Sequence, residues 1–214
     1  MENKQTKKSG RFALLVAATS LGFVVVQLDV SIVNVALTRI GSALSTEVDG
    51  LQWVVDAYTV AFASFLLCGG ALGDRLGARK VFVAGMAVFS VASLGCGLAS
   101  GIGTLIAARA AQGFGAALLM PCSLALLNHG YADEPPLRAR AVGLWTASGG
   151  ASLAAGPLLG GVMVGRLGWE SIFLVNVPIG GLAIWLVRGF IDETPPVADP
   201  PPFDWAGQVL AALT

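Results

Sequence analysis

The sequence predicts an all-α membrane protein, a six-helix bundle made of two inverted three-helix repeats. Three observations predict it. Only 12% of the 214 residues are charged and 55% are hydrophobic, whereas an ordinary soluble domain carries about 25% charged residues. Six apolar stretches are each long enough to cross a bilayer core, which takes about 20 residues of helix. Finally, Arg75-Leu76-Gly77 recurs as Arg166-Leu167-Gly168, a shift of 91 positions that also aligns Gly69-Gly70 with Gly160-Gly161 and Phe82 with Phe173.

The stretches run over roughly 12–38, 51–73, 80–100, 103–128, 141–165 and 171–190. Before the first lies a basic segment, 1–11, with Lys4, Lys7, Lys8 and Arg11. It looks like the charged start of a signal peptide. The apolar run behind it is too long for an h-region and contains Asp29, so an uncleaved first helix is expected. Gly101-Ile102-Gly103 leaves room only for a tight turn, which makes the third and fourth spans antiparallel neighbours. In the fifth span Ser152, Gly156 and Gly160 recur every four residues, a bare face for close helix approach, and Pro157 bends the helix. Pro195, Pro196 and Pro200 to Pro202 then stop the helix, giving a linker over 191–203. Residues 204–214 begin an apolar run too short to cross, the start of a truncated seventh span. The expected plan is therefore a cytoplasmic N-terminus at 1–11, a bundle at 12–190, the linker, and that fragment.

Cations set the orientation. With the N-terminus inside, Lys4, Lys7, Lys8, Arg11, Arg75, Arg79, Lys80, Arg138, Arg140 and Arg188 are cytoplasmic, and only Arg39 and Arg166 lie outside. Positive-inside bias of this kind predicts a multi-pass protein of the cell membrane with a cytoplasmic N-terminus. Three spans separate the two repeat copies, so they lie on opposite membrane faces, as inverted repeats require. Gly165 stands where the first copy has Asp74, so only one copy keeps the acid.

Several classes are excluded. The net charge is zero, so no basic surface is available for nucleic acid. Cys68, Cys96 and Cys122 fall in apolar stretches without CxxC spacing and read as packing residues. His129 is the sole histidine, which removes His-based triads and metal clusters. No phosphate-binding loop follows a strand. No enzyme activity and no cofactor are expected.

Three ionisable residues lie inside spans: Asp29, Asp56 and Arg109. A charge at mid-span costs about 2.5–3.5 kcal/mol on insertion scales, so such residues face a cavity or a partner. At 1.5 Å per residue each sits about 8–14 Å below the outer surface, so all three could share one layer. Burial favours a neutral carboxyl and a nearby guanidinium favours a charged one. Movement of the cation then switches protonation. The competing reading is a static ion pair between helices. Gln27, Ser31, Asn34 and Thr38 share one side of the first span and Asp29 points to the other. That span is thus either enclosed by protein on both sides or bent near Asp29. Ser31 taken alone is expected to bond the preceding turn. Arg109, Gln112 and Gly113 share one face, with Gly113 leaving room near the arginine. Asn34, Tyr58 and Gln112 are candidate substrate-cavity residues. Gly70 to Lys80 reads as a short, charged, glycine-hinged loop.

These residues resemble the major facilitator superfamily, and most closely its fourteen-span drug:proton antiporters. Gly70 to Lys80 is similar to the loop signature between spans two and three, with Ala78 where the family often has Arg. Leu28 to Leu37 resembles the first-span motif of drug antiporters. Arg109 with Gln112-Gly113 resembles the fourth-span motif. Gly143, Gly156-Pro157 and Gly160-Gly161 resemble the antiporter motif of the fifth span, where Ser152 replaces a glycine. Trp169 to Phe173, Asn176 to Gly180 and Phe203-Asp204-Trp205 look like the fourteen-span branch. The resemblance implies the N-terminal half of a major facilitator fold that exports small, often cationic or amphipathic molecules in exchange for protons by alternating access. Asp29, Asp56 and Arg109 would couple protons. Gly70, Asp74, Arg75, Gly77, Arg79 and Lys80 would form the cytoplasmic gate. The implied partners are a small-molecule substrate, protons, the bilayer, and a missing C-terminal half or a second copy. The alternatives are export of one metabolite or antibiotic, or a fragment that does not transport.

Overall fold

The computed structural model describes residues 2–196. It contains α1 (Glu2–Leu44), α2 (Val48–Leu76), α3 (Ala78–Gly97), α4 (Ile102–Gly130), α5 (Pro135–Leu167), α6 (Ser171–Leu174) and α7 (Asn176–Phe190). Taken with α6 and α7 as one, six helical segments among these residues are long and apolar enough to cross a membrane. The all-α six-helix class expected from composition is what forms.

The packing pattern shows the repeat. α2 packs chiefly on α4, and α5 chiefly on α1. Exchanging the first three spans for the last three maps one of these pairs onto the other. The turns repeat as well. Gly77 (φ 93°) and Gly168 (φ 89°) are the positive-φ glycines of the described chain, and they lie 91 positions apart. That backbone region is closed to side chains with a Cβ, which explains a glycine in each copy.

Three details differ from the sequence reading. α1 is helical from Glu2, so the basic segment continues the first span instead of preceding it. Gly70 to Lys80 is not a loop: α2 runs to Leu76, α3 starts at Ala78, and only Gly77 breaks the helix. Glycines 70 and 73 stay helical, with Pro121 and Cys122 of α4 beside them, and one positive-φ residue, Gly77, makes the reversal. The sixth span is broken at Val175, three residues before Pro178, whose missing N–H cannot bond Leu174. The proposed seventh span, 204–214, lies outside the described residues.

Two apolar clusters fill the bundle. One, toward the α2–α3 turn, holds Phe23, Phe82, Met86, Phe89, Leu126 and Trp145. The other, toward the opposite end, holds Ile32, Ile40, Val54, Leu105, Trp169 and Phe173. Lipid is as apolar as either cluster, so association rests on van der Waals fit and interhelical hydrogen bonds. The predicted bare face of α5 supplies such a fit: Gly156 sits against Ser31, and Gly160 against Ile32, both on α1.

Candidate functional site

Between the two clusters lies a polar layer. Arg109 is the eighth residue of α4, about 10 Å from its start. Its Nη1 donates to Asp29 Oδ2 on α1 at 2.5 Å, and both residues are at most 1% exposed. The same nitrogen donates to Gln112 Oε1 at 2.7 Å, one turn further along α4. Arg109 Nε donates to the Val54 carbonyl on α2 at 3.1 Å. The guanidinium also lies 4.2 Å from the centre of the Tyr58 ring, a cation–π arrangement.

Asp29 Oδ1 is equally well held. Gln112 Nε2 donates to it at 2.8 Å and Asn176 Nδ2 at 3.1 Å. Gln112 Nε2 also reaches Ser93 Oγ on α3 at 2.9 Å, and Ser93 donates onward to the Phe89 carbonyl at 2.7 Å. The layer therefore ties α1, α2, α3, α4 and α7 around one carboxylate. Two buried atoms within it have no partner, Tyr58 Oη and Asn176 Oδ1. Each is a spare hydrogen-bonding position beside the ion pair. A buried unpaired polar atom is costly enough that it requires a reason.

The structure separates the residues that the sequence grouped. Asp29 and Arg109 meet. Asp56 does not: it is half-buried on α2 and has no hydrogen bond or ion pair to either. Helix periodicity is the cause, because Val54 and Tyr58 turn toward α4 and residue 56 lies half a turn away from them. Gln112, expected at a substrate cavity, is fully buried in the network. Tyr58 is also buried, with its ring over Arg109. Asn34 is exposed and donates to the Val30 carbonyl of its own helix at 2.9 Å. Gly113 makes room not for Arg109 but for α2, lying against the Tyr58 carbonyl.

The question of the first span is answered by enclosure on both sides. Asp29 faces α4 while Ser31 faces α5, where it donates to the Leu153 carbonyl at 2.7 Å. Ser31 thus does not bond its own preceding turn. Leu153 is four residues before Pro157, so the proline leaves this carbonyl without its helical donor.

At the α2–α3 turn, Gly77 faces the carbonyl of Thr194, against which a methyl group would lie at 2.7 Å. The Arg79 amide donates to Thr194 Oγ1 at 3.1 Å, and its guanidinium reaches Glu193 at 3.5 Å and the Arg188 carbonyl at 2.5 Å. Residues 193 and 194 thus fasten the chain after α7 to this turn. Asp74 and Lys80 are exposed, and Gly70 lies near Pro121. On α5, Gly143 and Gly161 have open space where a Cβ would stand, and Pro157 is exposed.

Sequence reasoning missed Ser93, Asn176 and the Val54 carbonyl. A backbone oxygen leaves no trace in sequence. Asn176 had one available signal, a buried-span asparagine just before the helix break at Pro178.

The sequence profile of the Major Facilitator Superfamily matches residues 19–212. A methylenomycin A resistance protein of Bacillus subtilis is 49% identical over 192 residues, covering 90% of this chain and 41% of that protein. The drug efflux pump JefA of Mycobacterium tuberculosis is 44% identical over 201 residues, covering 93% and 39%. The cephamycin export protein CmcT of Amycolatopsis lactamdurans is 46% identical over 177 residues, covering 83% and 36%. The chain spans about two-fifths of the length of these relatives. With six apolar spans in two inverted triplets and a profile match over nearly its whole length, the chain belongs to the major facilitator superfamily.

Proposed function

We propose that the chain forms the N-terminal, proton-handling half of an efflux transporter that exports small, drug-like molecules in exchange for protons. The carrying observation is the Asp29–Arg109 pair, closed off from solvent in a layer between two apolar clusters. A buried ion pair is weak support for stability, because desolvation offsets its attraction. An ionisable residue inside a span instead marks an ion or substrate pathway. The names of the relatives, which concern drug efflux, antibiotic resistance and export, support the same reading.

The geometry gives the proton step a physical form. Protonation removes the charge that holds Arg109 to α1. The guanidinium keeps its bonds to the Val54 carbonyl and Gln112 Oε1, so it stays with α2 and α4. The hold of α2 and α4 on α1 is then loosened to the neutral bond from Gln112 Nε2 to Asp29 Oδ1. A flip of the Asn176 amide would bring its Oδ1, now unpaired, round to accept from the acid form of Asp29. Tyr58 belongs to this layer as a substrate contact, and Asp56, which faces away from it on α2, is a secondary proton site. The α2–α3 turn, with Asp74, Arg75, Gly77, Arg79 and Lys80, acts as the gate, and Gly143, Gly156, Pro157, Gly160 and Gly161 shape the α5 seal. The remaining part of a longer transporter, or a second copy, supplies the opposing half. The cation distribution supports a cell-membrane protein with its N-terminus inside. Membership of the superfamily supports a transporter rather than an enzyme.

The test is Asp29→Asn in the complete transporter, assayed by efflux driven by a pH gradient in proteoliposomes. Gradient-driven efflux should fall to background while the variant inserts normally, and undiminished efflux overturns the reading. Two relatives bear the names of single antibiotics, which favours a narrow-substrate variant of the proposal. An efflux panel of unrelated compounds separates the two: export of several supports the multidrug form, export of one the narrow form.

A further inference from the structure

We propose that the groove between α3 and α7, at the end of the bundle bearing the α2–α3 turn, binds a phospholipid with an anionic headgroup. The groove encloses about 450 Å³. Its rim carries Arg79, Lys80 and Arg188 together with Glu193, and its floor is Val83, Ala84 and Ala87.

The charge is not balanced within the groove. The one acid, Glu193, is engaged by Arg79, which also holds the Arg188 carbonyl. Among the described residues no carboxylate pairs with Lys80 or with the Arg188 guanidinium, and both side chains are exposed. Lys80 and Arg188 therefore line one groove at the edge of two apolar spans, with no carboxylate paired to either among the described residues.

The layering below selects a lipid over a free anion. Ala84, Ala87, Val91 and Leu94 are all exposed and recur at helical spacing, an apolar stripe that starts under the cations and runs along α3. From Lys80 to Val91 it descends about 16 Å. The two alanines at its top leave a trough beside α7. A headgroup at the rim meets the cations while its acyl chain follows the stripe, and basic pockets between spans at the membrane surface recognise such lipids. A free phosphate would use the rim and leave the floor without a function.

Native mass spectrometry of the full chain, with phosphatidylglycerol and phosphatidylcholine as probes, tests this. The parent should retain phosphatidylglycerol about thirtyfold better, as two surface cations imply. K80Q/R188Q should reduce that preference to about twofold or less. Ala87→Trp, on an exposed position that leaves the bundle intact, should displace the lipid with both cations in place. Glycerol 1-phosphate, a headgroup without chains, should not compete. Equal retention of the two lipids by the parent overturns the proposal. So do an unchanged preference in both variants, displacement by glycerol 1-phosphate, and binding that appears only once residues 197–214 are removed, which would make the chain's own end the occupant. None of these results bears on proton coupling at Asp29.

Discussion

The α1–α5 and α2–α4 seams occupy corresponding places in the two repeats, yet they solve one problem in different ways. Each includes a helix interrupted by a proline, Pro157 in α5 and Pro121 in α4. A proline leaves the carbonyl four residues earlier without its helical donor. In the first seam that carbonyl, Leu153, receives the Ser31 hydroxyl from α1. In the second, the Ala117 carbonyl is closed over by the Gly69 backbone of α2, and a methyl group at Gly69 would drive straight into it. A side chain covers one exposed acceptor and bare backbone covers the other. The lesson concerns tolerance: a side chain can give way by a rotamer change, whereas apposed backbones can only move apart.

The sharpest test sets one seam against the other. Gly69→Ala should cost about 3 kcal/mol, the upper end of overpacking penalties, because only separation of α2 and α4 relieves it. Gly156→Ala presses on the Ser31 hydroxyl, which can rotate, and on the Ser31 Cβ, which cannot, and should cost about 2 kcal/mol. Unfolding in mixed dodecyl sulfate micelles measures both, and equal losses would erase the distinction. The two turns give the next comparison. Gly77→Ala combines a strained φ with a clash against the Thr194 backbone, and should cost about 2–3 kcal/mol. Gly168→Ala carries similar strain, but its neighbour is the movable Glu170 carboxylate, so about 1–2 kcal/mol is expected. A larger loss at Gly168 would contradict the fastening of the first turn by residues 193 and 194. Smallest is Ser31→Ala, which uncovers the Leu153 carbonyl. Interhelical bonds in membranes contribute about 1 kcal/mol, and the same unfolding assay should read a loss of that size. No loss would mean that the α1–α5 seam depends on shape alone.

Much of this architecture was legible in the sequence, for identifiable reasons. Composition and span length gave the class, since few other folds tolerate so little charge. The 91-residue shift anticipated both strained glycines, because a left-sided φ admits almost no other residue. Asp29 and Arg109 were found because charge is rare inside spans. Asp56 was grouped with them on depth alone, and depth ignores which way a residue faces around its helix. Ser93 and Asn176 escaped because uncharged polar residues are common in spans and become significant only when three helices converge on one carboxylate. The glycines of Gly70–Lys80 suggest a loop, but the helix-forming residues between them carry α2 to Leu76 and start α3 at Ala78.

Gly77 and Gly168 reverse the chain with nearly the same backbone angle at opposite ends of the bundle. By its turns alone the scaffold has little up or down, and a translocon reading spans and bends alone would find the two insertions close to degenerate. A few lysines and arginines act as its compass. Moving Arg79 and Lys80 to the second turn is then a route to an upside-down molecule, at the loss of the Arg79 contacts to the Arg188 carbonyl and Glu193.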